Sequence, residues 1–418
     1  FGKAFSIAEI LTLLCALSWG LRIIMRWRST PSPPPAGRRP QSPISNLQSP
    51  FSILHSPLSI LHSSPSPLDL AALFFVLVAV ASVFAAEHRH VALRELRVVV
   101  LEPALFYLML RTGRLGRSAI WRVVDFFVLG AVVVALIGLV QYGLGVDVIT
   151  AEEGFRRLRS VYGSPNNAGL YLGRVLPVLV AVALFGAARG RRVAYGLAAV
   201  PVGLAALLSF SKGALILGLP LSLLALGLLA GGRWSWTALG AVAVAAVAAV
   251  PLLRTPRFAS LFDTHSGTTF FRLQLWRSTW MMFRDHLALG VGLDNFLYQY
   301  RSRYVLPAAW QEPDLSHPHN VLLDYASRLG VCGLVAGAWL QIAFWRLALP
   351  LRRLAGTFRS EVSDRRALAL GLTGSMVDFL AHGLVDASYF VIDLAFAFFL
   401  ALGLVQWLAR SKTDELET

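Results

Sequence analysis

The run "PLDLAALFFVLVAVASVFAA" at 67–86 decides the fold, because its only charge, Asp69, sits near one end. A helix rises about 1.5 Å per residue, so a run of this length crosses the roughly 30 Å hydrocarbon core of a bilayer. The same length rule finds further spans at 4–24, 91–110, 123–142, 164–185, 193–210, 213–231, 235–253, 320–345, 367–385 and 388–408, eleven in all. The composition agrees: 56% of the 418 residues are hydrophobic, 15% are charged, and the mean hydropathy is +0.62. This is far more apolar than a soluble domain. The expected fold is therefore an all-α polytopic membrane helical bundle forming a single membrane domain over 1–418.

The span at 91–110 is the least apolar, loaded by Arg94, Glu95, Arg97 and Glu102. Loop charge argues for keeping it. Lys and Arg concentrate in cytoplasmic loops, and here they crowd the segments after alternate spans: Arg26/Arg28, Arg111/Arg114/Arg117, Arg189/Arg191/Arg192, Arg233, Arg346/Arg352/Arg365/Arg366 and Arg410/Lys412. Dropping a span would break that alternation. The net charge of +15 is thus a topology signal rather than a nucleic-acid one. The other loops, 143–163, 210–213, 254–319 and 386–387, fall on the outer face. An odd count with the N-terminus outside, in a chain opening on Phe1, leads us to expect a twelfth span upstream. No cleavable signal peptide is evident. Cys15 and Cys332 lie in apolar runs, so neither a disulfide framework nor a cysteine metal site is expected.

Residues 29–66 read as a Pro/Ser-rich inside insertion with a tandem heptapeptide, "SPFSILH" at 49–55 and "SPLSILH" at 56–62. Frequent proline blocks helix formation, and no chemistry is assigned there. The 254–319 outer loop is different. Its segment 269–286 spaces Leu273, Trp276, Trp280 and Phe283 as one apolar helical stripe beside Arg272, Arg277 and Arg284, the pattern of an interfacial amphipathic helix.

Several outer groups could carry chemistry. Lys212, with Ser209 and Ser211, forms the tip of a tight hairpin, as an interface anchor or an anion binder. Arg156, Arg157 and Arg159 precede the helix start Pro165-Asn166-Asn167. Three outer elements that each bring cations to one membrane face favour an anionic ligand such as phosphate or pyrophosphate. His317 and His319, in "LSHPHN" at 315–320, stand just before a spanning helix. A histidine there is a cap, an interface residue or a general base for a hydroxyl. Asp378, His382, Asp386 and Asp393 lie in or between the last two spans, where ionisable groups are expensive. There is no Walker loop, HExxH, GxSxG or Cys/His zinc spacing, so a site without metal or cofactor is expected.

Over about 160–405 these residues form blocks in a recognisable order: "GSPNNAGLYLGRVLP" at 163–177, "LLSFSKGAL" at 207–215, "FRLQLWRSTWMMFRDHLALGVGLDNF" at 271–296, "HPHNVLLDYASRLGVCGL" at 317–334 and "HGLVDASYF" at 382–390. The chain resembles the O-antigen ligase and O-antigen polymerase family of bacterial envelope glycosyltransferases. The resemblance implies metal-independent transfer of a glycan from an undecaprenyl-pyrophosphate carrier to a hydroxyl of a glycan, lipid or protein acceptor. It places the reaction at the outer face of the bacterial cytoplasmic membrane, among membrane lipids and without nucleic acid. His319 would then be the base and Arg272 the group that neutralises the pyrophosphate. Lys212, Arg156 and Arg159 would bind the carrier, and His317, His382 and Asp386 would support them. The family's usual Ser-Arg-Gly tip reads Ser211-Lys212-Gly213 here, which keeps the charge and loses the bidentate fork. The rival reading is a transporter or flippase of lipid-linked sugars. That would call for repeated halves and helices broken at the midplane, and no repeat is visible.

Overall fold

The structure is a computed structural model that describes residues 65–113, 115–150, 154, 156–253, 263–352 and 360–414. The expected span at 4–24 and nearly all of the 29–66 insertion lie outside the described residues. Helix α1 (Pro67–Ala85) starts at a reciprocal cap, in which Ser66 N donates to Asp69 Oδ2 (2.8 Å) and Asp69 N to Ser66 Oγ (3.1 Å). The charged span follows as α2 (Arg89–Glu95), a π-helical stretch (Leu96–Leu101) and α3 (Glu102–Thr112). Its charges are paired: Glu95 takes two hydrogen bonds from Arg328 and Glu102 lies 3.7 Å from Arg97. Without those partners, carboxylates could not stay at that depth.

The remaining elements are α4 (Arg117–Leu144), α5 (Pro165–Phe185), α6 (Arg189–Leu208), a π-helical stretch (Ala214–Gly218) running into α7 (Leu219–Ala230), and α8 (Arg233–Leu253). Then come α9 (Gly267–Asp285), the short α10 (Phe296–Gln299), α11 (Val321–Leu351), α12 (Ser360–Gly383) and α13 (Ile392–Asp414). Among the described residues, six helices are long and apolar enough to cross a membrane: α1, α4, α5, α6, α11 and the Ile392–Arg410 part of α13. The other expected spans that fall on described residues are helical too, and Ala214–Ala230 is shorter. Among the described residues, strand is confined to a two-residue ladder, β1 (Ile149–Thr150) against β2 (Arg156–Arg157).

Helices α5 and α12 form the centre. A Cβ on Gly371 would lie 2.7 Å from Val178 Cα, and one on Gly374 2.7 Å from Pro177 Cβ. In lipid there is no hydrophobic force between helices, so small residues that let backbones touch supply the association. The basic segments gather at one end of the bundle. There Arg366 bonds Ala230 O, Ala187 N bonds Asp364, Ser363 bonds Phe185 O and Arg410 bonds Arg111 O. The hairpin tip, the 315–320 loop and the 384–391 turn gather at the other.

Helix α11 is broken. Gly330 has φ 66° and ψ −158°, which interrupts the ladder inside an apolar helix. The segment 287–292 fills the gap: Val291 N donates to Ser327 O (2.7 Å), Gly292 N to Arg328 O (3.1 Å), and Leu287 O accepts from Val331 N (2.8 Å). Only glycine fits on either side of this exchange. Gly290 and Gly292 also have positive φ, and a Cβ on Gly330 would collide with the carbonyls of Leu287 and Ala288.

Helix α9 corrects one expectation. Its buried residues are Gln274, Leu275, Ser278, Thr279, Met282 and Phe283, so of the expected stripe Phe283 is buried while Trp280 is 54% exposed. The reason is the partner. Leu275 and Met282 pack with Val291, Phe296, Tyr300 and Tyr304 in a satellite core, so Trp280 is left outside it while Trp276 is partly buried. Gly330→Ala is expected to cost more than about 2 kcal/mol, from left-handed strain plus collision. Gly240→Ala, where an added Cβ meets nothing within 4 Å, should leave thermal unfolding in detergent unchanged.

Candidate active site

The 315–320 loop is fixed at three points before any ligand arrives. Trp276 Nε1 on α9 donates to Pro318 O (2.9 Å), and Arg328 on α11 donates to Ser316 O (3.2 Å). Asn320 caps α11 by accepting from Leu322 N (3.0 Å) and Leu323 N (3.1 Å), and its own amide donates to Leu384 O (2.9 Å). Asn320 thus satisfies the orphan donors of a helix start and ties that start to the turn between α12 and α13.

Between these anchors His319 adopts φ 49°, a left-handed conformation uncommon for a residue with a Cβ. That conformation brings its ring to Asp386, and Nδ1 lies 2.9 Å from Asp386 Oδ1. The same oxygen accepts from Ala387 N (2.9 Å). A carboxylate accepts, so Nδ1 carries the proton and Nε2 presents its lone pair. Among the described residues, Nε2 of His319 has no hydrogen-bond partner. Burial pushes the Asp386 carboxyl up, but the hydrogen bond from His319 and the nearby rings of His319, His317 and His382 outweigh it and hold it well below the usual carboxylate range.

His317 packs against His319 with ring centroids 4.1 Å apart and accepts from His319 N (3.3 Å). Burial, then the neighbouring His319, pushes the His317 imidazole down to about 3, so it stays neutral. The donor atoms of His317, His319 and Asp386 all lie within 4.8 Å of one another. These three are the residues that could hold a metal ion.

Arg272 stands on α9, one turn before Trp276, and is partly buried. It makes no hydrogen bond or ion pair among the described residues, and its charge acts on both His317 and His382. Lys212 Nζ reaches Thr268 Oγ1 (3.5 Å), one turn before Arg272 on the same helix. The hairpin tip and α9 therefore present two cations beside the histidines. Asp393 is exposed at the start of α13.

The other expected cations go elsewhere. Arg159 is taken up by Asp147, 2.9 Å to its carboxylate and 2.9 Å to its carbonyl, and Arg156 is exposed on β2 against Gly145. No hydrogen bond or ion pair joins either to His319, Arg272 or Lys212 among the described residues. Arg157 is the arginine that meets the tip, donating to Ser209 O (3.1 Å) and Asn166 Oδ1 (2.7 Å).

Beneath the cluster runs a buried polar column. His382 Nε2 lies 3.4 Å from Ser211 Oγ, and Arg174 Nε lies 3.6 Å from Asp378 while its Nη2 donates to Ser388 O (3.0 Å). Gly213 and Gly218 supply the room, since added Cβ atoms would run into His382 and Asp378. Arg174 and Arg328 were not singled out from sequence. A single arginine inside an apolar run is the signal that marks each, and Arg328 also sits four residues after Asp324, which it bonds at 2.7 Å.

The neutral state of His317 links stability to acid. Its folded pKa lies below its ordinary value, so the unfolded chain binds a proton that the folded one excludes. That contribution is complete above about 6.5 and is lost as pH falls towards about 3. Thermal stability in detergent should therefore drop between pH 6.5 and 4, and His317→Gln should flatten that drop.

No curated protein matches the chain. The family model described as O-antigen ligase matches residues 196–337, about a third of the chain, and this stretch carries Lys212, Arg272, His317 and His319, in agreement with the family that the sequence motifs resemble.

Proposed function

We propose that this multi-pass membrane protein transfers a glycan from an undecaprenyl-pyrophosphate carrier to an acceptor hydroxyl, without a metal ion, at the outer face of the bacterial cytoplasmic membrane. O-antigen ligases act in the synthesis of cell-envelope polysaccharide, and the family match supports that coarser class. The observation that carries the finer reading is the His319–Asp386 pair at 2.9 Å, with the other imidazole nitrogen unengaged, in a loop tied through Trp276 to the helix that carries Arg272 and meets Lys212.

The proposed chemistry follows from those groups. His319 Nε2 takes the proton of the acceptor hydroxyl as its oxygen attacks the anomeric carbon, and Asp386 stabilises the imidazolium that forms. The bond from the anomeric carbon to the pyrophosphate oxygen breaks, and the electron pair leaves with the carrier. Its developing charge falls on Arg272 and Lys212, positioned cations that need no rearrangement. The carrier's tail stays in lipid while its sugars are in water, so such a site belongs at a membrane boundary. The acceptor is a glycan, a lipid or a protein with a hydroxyl.

The transporter reading gains a broken helix in α11. That break is plugged by the chain's own 287–292 backbone, whereas a transport site lines a cavity with such groups. We therefore keep the transferase.

Cell-free transfer from a lipid-pyrophosphate oligosaccharide tests the assignment. His319→Ala should lower kcat by roughly 10²–10⁴-fold and Arg272→Ala by roughly 10²–10³-fold. Asp386→Asn should lower kcat while the protein still folds, because its side-chain oxygen can still accept from Ala387 N. Turnover should survive dialysis against EDTA. Full activity in both His319→Ala and Arg272→Ala would sink the mechanism, and activity restored only by added divalent metal would sink its metal independence.

A further inference from the structure

The end of the bundle remote from His319 holds a second concavity that glycan transfer does not use. A cavity of about 550 Å³ opens where α4 and α6 begin and α12 passes, lined by Arg117, Arg122, Arg191, Trp121, Asp125 and Asp364. Asp364 and His382 sit on the same helix 18 residues apart, roughly 27 Å along its axis. The cavity is therefore near the opposite membrane boundary.

Its acids are already committed. Asp364 accepts from Arg117 (2.8 Å) and from Ala187 N (2.7 Å) and lies 3.8 Å from Arg191, while Asp125 accepts from the Tyr195 hydroxyl (2.6 Å). Among the lining residues, three arginines stand against two aspartates. Arg122 is exposed and forms no ion pair among the described residues. Arg191 is held flat over the Trp121 ring at 4.2 Å, which fixes its guanidinium at the rim. The two helices that start here, of 28 and 20 residues, have no side-chain cap on their first turns, so their positive ends also face the cavity.

What lies beside the cavity separates a lipid from a soluble anion. Phe126 (70% exposed) and Leu129 on α4, with Val193 and Leu197 (68% exposed) on α6, form a bare apolar ridge leading from it towards the bundle's middle. A ligand matching both features has a phosphate at one end and acyl chains at the other. We propose that this cavity binds the phosphodiester headgroup of an anionic phospholipid of the adjacent leaflet, whose acyl chains lie along the α4–α6 ridge. Basic pockets between helices are known to hold such headgroups.

The test uses the whole protein in detergent with phosphatidylcholine, titrated with phosphatidylglycerol and read by native mass spectrometry. Phosphatidylglycerol should bind more tightly than phosphatidylcholine. Arg122→Gln should weaken it about fivefold, the effect of one near-surface arginine. Ser118→Asp should weaken it as well, because it adds a carboxylate at the cavity wall. That variant stays folded, since an acid in a first turn favours the helix dipole. Arg284→Gln, at the other end of the bundle, should change nothing. Equal binding of the two lipids, or phosphatidylglycerol binding unaltered in both cavity variants, overturns the proposal. Inorganic phosphate that displaces phosphatidylglycerol at comparable concentration, with the same dependence on Arg122, also overturns it and makes the ligand a soluble anion.

Discussion

The exchange of backbone hydrogen bonds between the break in α11 and the segment 287–292 is the interaction on which the site depends. A helix interrupted at membrane depth leaves donors and acceptors that lipid cannot satisfy. Here the chain that leaves α9 supplies the missing partners, so two elements that could have drifted apart are locked by several bonds at once. One carries Arg272 and the other begins at the His319 loop. The backbones that carry the cation and the imidazole are thus held relative to one another by main-chain hydrogen bonds.

The same scarcity of partners explains the buried ion network. Arg328 joins Glu95 of the charged span, Asp324 of its own helix and Ser316 of the loop. Truncating such an arginine would strand two carboxylates, which costs about 3–5 kcal/mol when the pair is buried. Glu95, one of the charges that made 91–110 look unlike a span, is what fastens it to α11. Arg174 and Asp378 repeat the arrangement under the histidines, with less complete bonding: both carboxylate oxygens of Asp378 and Nδ1 of His382 lack hydrogen-bond partners among the described residues.

Most of the architecture was legible because a bilayer imposes length, apolarity and loop charge on each span separately. All the expected spans that fall on described residues are helical, and the basic loops meet at one end. What could not be read were relations between spans. The period of α9 was visible, yet its buried face depended on Tyr300 and Val291, which nothing in its own sequence announces. His319 was found from its place before a span, but its partner Asp386 is 67 residues away and is met only because Asn320 grips the turn after α12. Among Arg156, Arg157 and Arg159 composition gives no ranking. The β1–β2 ladder turns Arg157 to the hairpin tip, while Asp147 captures Arg159.

Helix α9 carries Arg272 and, one turn later, the Trp276 indole that holds Pro318 O. Pro318 is bonded directly to the residue whose left-handed backbone aims the imidazole. A load placed on the guanidinium is thus carried along one rigid rod to the backbone beside His319. A displacement of α9 would therefore carry the backbone of Arg272 and the anchor beside His319 together, so a change that tilts this helix disturbs both groups at once.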